Sequence, residues 1–156
     1  MDDQRYELSL FADYFQFYIC DEERKTDTGT IWDQLTTDRM LAAGPDLVAV
    51  GTARNMTVPV TLEILHEQPS ADVAAWDQVI ECPLIVTSGT ILALGCTDSM
   101  EDSQHFAVPP GDYAVRVSYA NLDDHSEDGL DGNDHYRVQL WPGHVEQIHV
   151  IKRRPD

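Results

Sequence analysis

The stretch "GDYAVRVSYANLDDHSEDGLDGNDHYRVQLWPG", residues 111–143, decides the fold class. In its first arm Tyr113, Val115, Val117 and Tyr119 fall on one face of an extended chain, and Ala114, Arg116 and Ser118 on the other. The second arm repeats the device with Tyr136, Val138 and Leu140. Period-two alternation in aromatic and β-branched residues marks half-buried strands. Between the arms, residues 121–135 hold six carboxylates and no lysine or arginine, with Gly129 and Gly132 suited to turns. A hairpin with a long acidic tip is the simplest arrangement.

The rest of the chain follows the same grammar. "YELSLFADYFQFYICD" (6–21) reads as one or two strands broken near Ala12-Asp13, and "LVAVGT", "WDQVIECPLIV" and "TILALGC" read as strands between turn residues. "NMTVPVTLEILHE" is a longer strand in which Pro59 cannot donate to a ladder, so an edge position or a bulge is expected. "MEDSQHFAVPPGD" reads as a loop and "HVEQIHVIK" as a last strand. The one helix signal lies in "WDQLTTDRMLAAGPD": Thr36 or Thr37 caps, Asp38 sits in the first turn, Met40 to Ala43 favour helix, and Gly44-Pro45 stops it. Roughly eight to ten short strands with one short helix predict an all-β fold, an antiparallel β-sandwich. A length of 156 residues fits one domain, expected over 1–151, with a basic C-terminal tail at 152–156.

Charge is the strongest global signal. The formal net charge is −18, and Lys152, Arg153 and Arg154 supply three of the ten basic groups, so the body is more acidic than the whole. Such a body repels nucleic acid, whose binding needs cations on phosphates, and it repels anionic membranes. It attracts a basic protein or a cation, and acidity also keeps a protein soluble. Cys20, Cys82 and Cys96 are odd in number, far apart and without zinc or redox spacing, which suits buried free thiols in a reducing cytoplasm. The acidic N-terminus does not look like a signal peptide, and no apolar run reaches membrane-spanning length. A cytoplasmic protein is expected.

Three segments, "WDQVIECPLIVTSGTILAL" (76–94), "VPPGDYAVRVSYA" (108–120) and "HYRVQLWPG" (135–143), resemble the bacterial competence protein J family of DNA-entry nuclease inhibitors. The likeness runs over about residues 47–142 and lies in spacing and strand character. It implies an all-β sandwich that binds and inhibits a nuclease. No functional residue of that family is placed on this chain.

The acidic stretch admits several chemistries. An EF-hand template started at Asp124 puts Ser126, Asp128 and Gly129 at the third, fifth and sixth positions, with Asp131 and Asp134 nearby. It lacks the bidentate Glu, since His135 stands at position twelve, and its flanks are strands; a calcium or small-ligand module is the alternative reading. Carboxylate catalysis needs an acid in an apolar pocket, and Asp77 and Glu81 beside Trp76 are better placed for burial than the loop acids, against simple decoration of a strand's outer face; His125, His135 and an aspartate are the candidate zinc set. Trp32, Trp76 and Trp141 suggest a sugar-stacking face, against ordinary packing of tryptophans near strand ends. No nucleophile elbow, phosphate loop or dinucleotide motif is present. The leading reading is a non-enzymatic binding protein with no cofactor. In it Asp123, Asp124, Glu127, Asp128, Asp131 and Asp134 face a basic partner, possibly a nuclease. Asp21, Glu22, Glu23, Asp98, Glu101 and Asp102 extend the field over a Debye length of ~8 Å. Tyr119, Tyr136 and Trp141 would be anchors if they face outward.

Overall fold

Strands β1 (Gln4–Phe11) and β2 (Gln16–Asp21) come from the one apolar run at the N-terminus, which breaks at a single 3-10 turn, Asp13–Phe15. The break sends β1 and β2 into different sheets. The following elements are helix α1 (Gln34–Asp38), β3 (Leu41–Gly44), β4 (Leu47–Gly51), β5 (Thr57–Ile64), β6 (Gln78–Val86) and β7 (Thr90–Gly95). Strands β8 (Gln104–Ala107), β9 (Gly111–Ala120), β10 (His135–Pro142) and β11 (His149–Lys152) complete the fold. This computed structural model describes residues 2–155. One sheet has the order β1-β5-β10-β9-β6-β11 and the other β3-β4-β2-β7-β8. Every neighbouring pair is antiparallel except β5 with β10. The architecture is the expected sandwich, with eleven strands and one short α-helix among the described residues.

The core lies between the sheets and uses the faces that alternation selects. Tyr113, Val115, Val117 and Tyr119 of β9 and Tyr136, Val138 and Leu140 of β10 meet Phe17 and Ile19 of β2 and Val48 and Val50 of β4. Each such aliphatic or aromatic side chain contributes about 1.5–3 kcal/mol by leaving water. β9 and β10 pair from His135 opposite Ala120 to Pro142 opposite Tyr113, so the acidic stretch is the tip of their hairpin.

Four expectations are corrected. The helix covers Gln34–Asp38 and is capped by Asp33, whose carboxylate accepts from Thr36 N while Thr36 Oγ1 accepts from Asp33 N. Leu41–Gly44, expected as helix, is strand β3, because pairing with β4 buries Leu41 and Ala42 completely. β5 is neither an edge nor bulged at Pro59. The ladder to β10 begins at Val60, one residue beyond the proline, so no N–H is missed there. Gln104–Ala107, expected as loop, pairs with β7 and buries Phe106. Lys152 ends β11, and Arg154 Nη1 donates to Gln78 Oε1 at 3.3 Å. Asp156 lies outside the described residues.

Both outer faces are covered as well. Residues 66–77 cross the outer face of the six-stranded sheet as a strap. Arg116, 2% exposed, donates to Glu81 Oε2 at 2.8 Å and to the strap carbonyls of Pro69 and Ser70, with its guanidinium 5.1 Å from the Trp141 ring. Arg137 forms a bidentate pair with Asp72 of the strap beneath the Trp76 ring, 4.6 Å away. On the other sheet, Tyr18, Cys20, Leu47, Ala49, Leu92 and Leu94 form a second apolar cluster against Ile31 and Trp32.

Candidate partner-binding face

The acidic tip is ordered by its own backbone. Asn133 N donates to Asp124 O at 2.8 Å, Ser126 N to Asp131 O at 2.7 Å, and Gly129 N to Ser126 O at 3.0 Å, with a bridge between His125 and Gly132. A small secondary hairpin therefore sits on top of the β9–β10 hairpin. Leu122 plugs its base: the side chain is buried and the backbone N–H donates to Asp77 Oδ2 at 3.0 Å. The second anchor is Asp134, fully buried, which accepts from Arg54 Nε at 2.5 Å and from the Tyr136 hydroxyl at 2.6 Å. The Tyr136 oxygen accepts in turn from Ala53 N at 2.7 Å. Burial first, then the Asp134 carboxylate, keeps the Tyr136 phenol protonated far above its ordinary range. Gly132 lies against Arg54 so closely that a Cβ would stand 2.8 Å from the guanidinium Nε, which is why a side chain is absent there.

These contacts divide the predicted partner-binding residues. Asp123, Asp124, Glu127, Asp128 and Asp131 are brought together on the exposed tip. Asp134 is not among them: it is a buried structural carboxylate, and a partner cannot reach it. Asp128 is held below the ordinary carboxylate range by hydrogen bonds from the Ser126 hydroxyl and then the Leu130 N–H. The supporting acids also divide, because Asp21 is buried and accepts from Ser88 N, Ser88 Oγ and Thr87 N at the β6–β7 turn, whereas Glu22, Glu23, Asp98, Glu101 and Asp102 are exposed. Tyr119, Tyr136 and Trp141 are buried and do not serve as anchors: the first two lie in the core, and the third lies under Arg116. Arg54, which holds the loop, was not foreseen; an isolated arginine in "GTARNM" carries no signal of its distant partner.

The other chemistries find no assembled site. Among the described residues no three His, Cys, Asp or Glu side chains converge to hold a metal ion, by the calcium template or the histidine set. Asp77 caps Leu122 and Glu81 pairs with Arg116, so both carboxylates have structural partners. Trp32 donates to Gln16 Oε1 on the five-stranded sheet while Trp76 and Trp141 stack on arginines of the other, which leaves no shared stacking face. The cysteines are free, and burial pushes the thiols of Cys20 and Cys82 up to about 12. Among the described residues, the exposed lysines and arginines are Arg5, Lys25 and Arg153; the remaining ones are wholly or partly buried. Among the described residues no helix is long and apolar enough to cross a membrane.

A two-sheet, antiparallel-rich sandwich carrying an anionic loop at one end is thus the class that fold and surface define. Among solved structures the chain is similar to ComJ, inhibitor of the DNA degrading activity of NucA, from Bacillus subtilis. The TM-score is 0.66 at 18% identity, over 90% of this chain and 96% of that one. It is also similar to the protein of crocagin biosynthetic gene J, with a TM-score of 0.61 at 18% identity, over 92% of this chain and all of the other. At this identity the likeness is one of fold, and it extends the resemblance read from residues 47–142 to nearly the whole chain. No family model and no curated protein matches the sequence.

Proposed function

We propose that this protein is a non-catalytic binder that inhibits a basic, DNA-degrading nuclease by laying its acidic loop over the groove that otherwise holds phosphates. The observation that carries the reading is the tip itself, where five carboxylates face water on a hairpin whose base is pinned by the buried Arg54–Asp134 pair. A rigid anionic loop meets a cationic groove without an ordering cost, and unpaired charges steer the encounter. The sandwich shared with an inhibitor of NucA supports the same direction.

The test uses the DNA-degrading nuclease encoded nearest to this protein's gene, purified separately. Added in excess, the protein should slow DNA degradation, and inhibition should weaken steeply as salt rises. Replacing Asp123, Asp124 and Asp128 by Asn and Glu127 by Gln should lower the association rate by about tenfold or more without unfolding the protein. Undiminished inhibition by this variant at all salt concentrations sinks the role of the loop.

A further inference from the structure

The Asp13–Phe15 turn does more than break a strand. Tyr14 and Phe15 both have left-handed backbone, with φ of 57° and 61°, a conformation that aromatic residues rarely adopt. The surroundings enforce it: Phe15 N donates to Ala12 O at 3.0 Å, Thr52 N to Phe15 O at 2.9 Å, and Thr97 Oγ1 to Asp13 Oδ2 at 3.0 Å. At Gly95 a Cβ would stand 2.1 Å from the Phe11 carbonyl oxygen, so the segment passes through a gap that only glycine leaves open. The product of this strain is two large aromatic side chains turned to water, Tyr14 69% and Phe15 52% exposed. Strain that yields no buried contact points to a role outside the fold.

Tyr14 and Phe15 line a groove of about 470 Å³ together with Trp32, Thr37, Met40 and Thr52. Met40 is also left-handed, at φ 58°, and is fixed through its carbonyl, which accepts from Gly51 N at 2.8 Å and the Tyr119 hydroxyl at 2.6 Å. It belongs to a second depression too, one lined by Asp77, Leu122, Asp123, His125 and Arg154 at the foot of the acidic tip. The two depressions therefore meet at Met40. The register explains why: Phe11 pairs with Thr57 and Tyr136 with Val60, so the end of β1 and the base of the acidic loop lie at the same end of the six-stranded sheet.

We infer that the aromatic groove and the acidic tip are one docking face, in which the groove takes an apolar anchor of the same basic protein whose cations meet the tip. The inference rests on the inhibitor reading for the partner. The exposed carboxylates of Asp33 and Asp38 border α1 beside the groove and Asp123, with the rest of the acidic tip, lies beyond Met40, while Arg39, Arg153 and Arg154 gather in a neighbouring depression with Asp38 and Gln78; the tip side of the face is therefore where charge selects a basic occupant. The tip sets the rate of encounter; the groove holds the partner once it arrives.

Two variants test this on the nuclease named above: Tyr14→Gly, which removes an anchor and also relieves the left-handed strain, and Tyr14→Ser combined with Phe15→Ser. Binding kinetics across a salt series and melting temperatures are recorded for both. Tyr14→Gly should melt no lower than the parent, and the double variant should dissociate about thirtyfold faster, as loss of a hot spot does, with the salt dependence of association unchanged. A merely structural role for Tyr14 predicts the reverse pattern, a lowered melting temperature with unchanged dissociation, and would overturn the inference. Wild-type dissociation in both variants, together with slowed association in the tip variant, overturns the groove and leaves the inhibitor reading standing. If the parent protein does not bind the nuclease, both fall. A parent dimer that the variants split into monomers makes the occupant a second copy and overturns the assignment to a basic partner.

Discussion

The outer face of the six-stranded sheet and the tip of the β9–β10 hairpin are built from neighbouring residues, yet they use charge in opposite ways. At the strap, Arg116 with Glu81 and Arg137 with Asp72 are each joined by hydrogen bonds, and each guanidinium stacks on a tryptophan. On the tip, Asp123, Asp124, Glu127, Asp128 and Asp131 face water without a cation. Asp134, at the end of the same loop, belongs by chemistry to the first group. Charges that are paired and buried fix the structure, and charges left unpaired on a fixed support are free to meet something else.

The largest effect should come from breaking that distinction at its boundary. Asp134→Ala leaves Arg54 buried without its counter-charge and should cost about 3–5 kcal/mol in urea denaturation. Asp131→Ala, three residues away and exposed, should stay within about 0.5 kcal/mol of the parent. The pair Arg54→Met with Asp134→Leu should lose much less than Asp134→Ala alone, because no charge is left stranded. Equal losses at Asp131 and Asp134 would erase the contrast.

The inner half of this arrangement was legible in the sequence and the outer half was not. Alternation in "YAVRVSYA" and "YRVQLW" selected the core faces residue by residue, because period two is a local property. It also marked Arg116 and Ser118 as facing away from the core, and they do, but burial there depends on residues 66–77 crossing the sheet, which no local pattern encodes. The same limit explains Asp134: as a letter it is the sixth acid of a loop, and only the fold brings Arg54, 80 positions earlier, against it. Met40 to Ala43 have helix-forming side chains, and the pairing of β3 with β4 overrides that propensity. The aromatic groove escaped because Tyr14 and Phe15 read as strand residues. Their exposure follows from a backbone conformation that composition does not announce.

A smaller effect sharpens the comparison from within the strap-covered face. Ser118 Oγ, Gln139 Oε1, Arg137 Nε and Trp76 Nε1 are buried there without a hydrogen-bond partner. An unsatisfied buried hydroxyl costs roughly 1–3 kcal/mol, so Ser118→Ala should stabilise the protein by about 1 kcal/mol. Destabilisation by this change would mean that the hydroxyl has a partner. The four-residue tip variant, by contrast, should alter stability by no more than about 0.5 kcal/mol, since it removes repulsion between exposed groups and breaks only loop-local bonds.

The smallest effect lies where the two regions touch, at His135, the first residue of β10. Its Nε2 lies 2.9 Å from Thr61 Oγ1, and that hydroxyl already donates to Glu7 Oε2, so the ring donates to Thr61 as a neutral Nε2–H tautomer. Burial lowers its pKa, Arg137 and Arg5 add to the lowering, and the Glu7 carboxylate opposes it. In the unfolded chain the ring titrates at its ordinary value near ~6.5. As pH falls below that value the unfolded state takes up a proton that the native state resists, so stability falls until the folded pKa is passed and then levels. His66 runs the other way, because hydrogen bonding and charge from Asp3 raise its pKa, and its contribution is lost as pH rises through the folded value. Melting temperatures from pH 7 downward should therefore fall more steeply for the parent than for His135→Gln, which keeps a donor toward Thr61 and cannot titrate. Parallel profiles would mean that His135 takes up its proton in the native state as readily as in the unfolded chain, and that burial does not act on it.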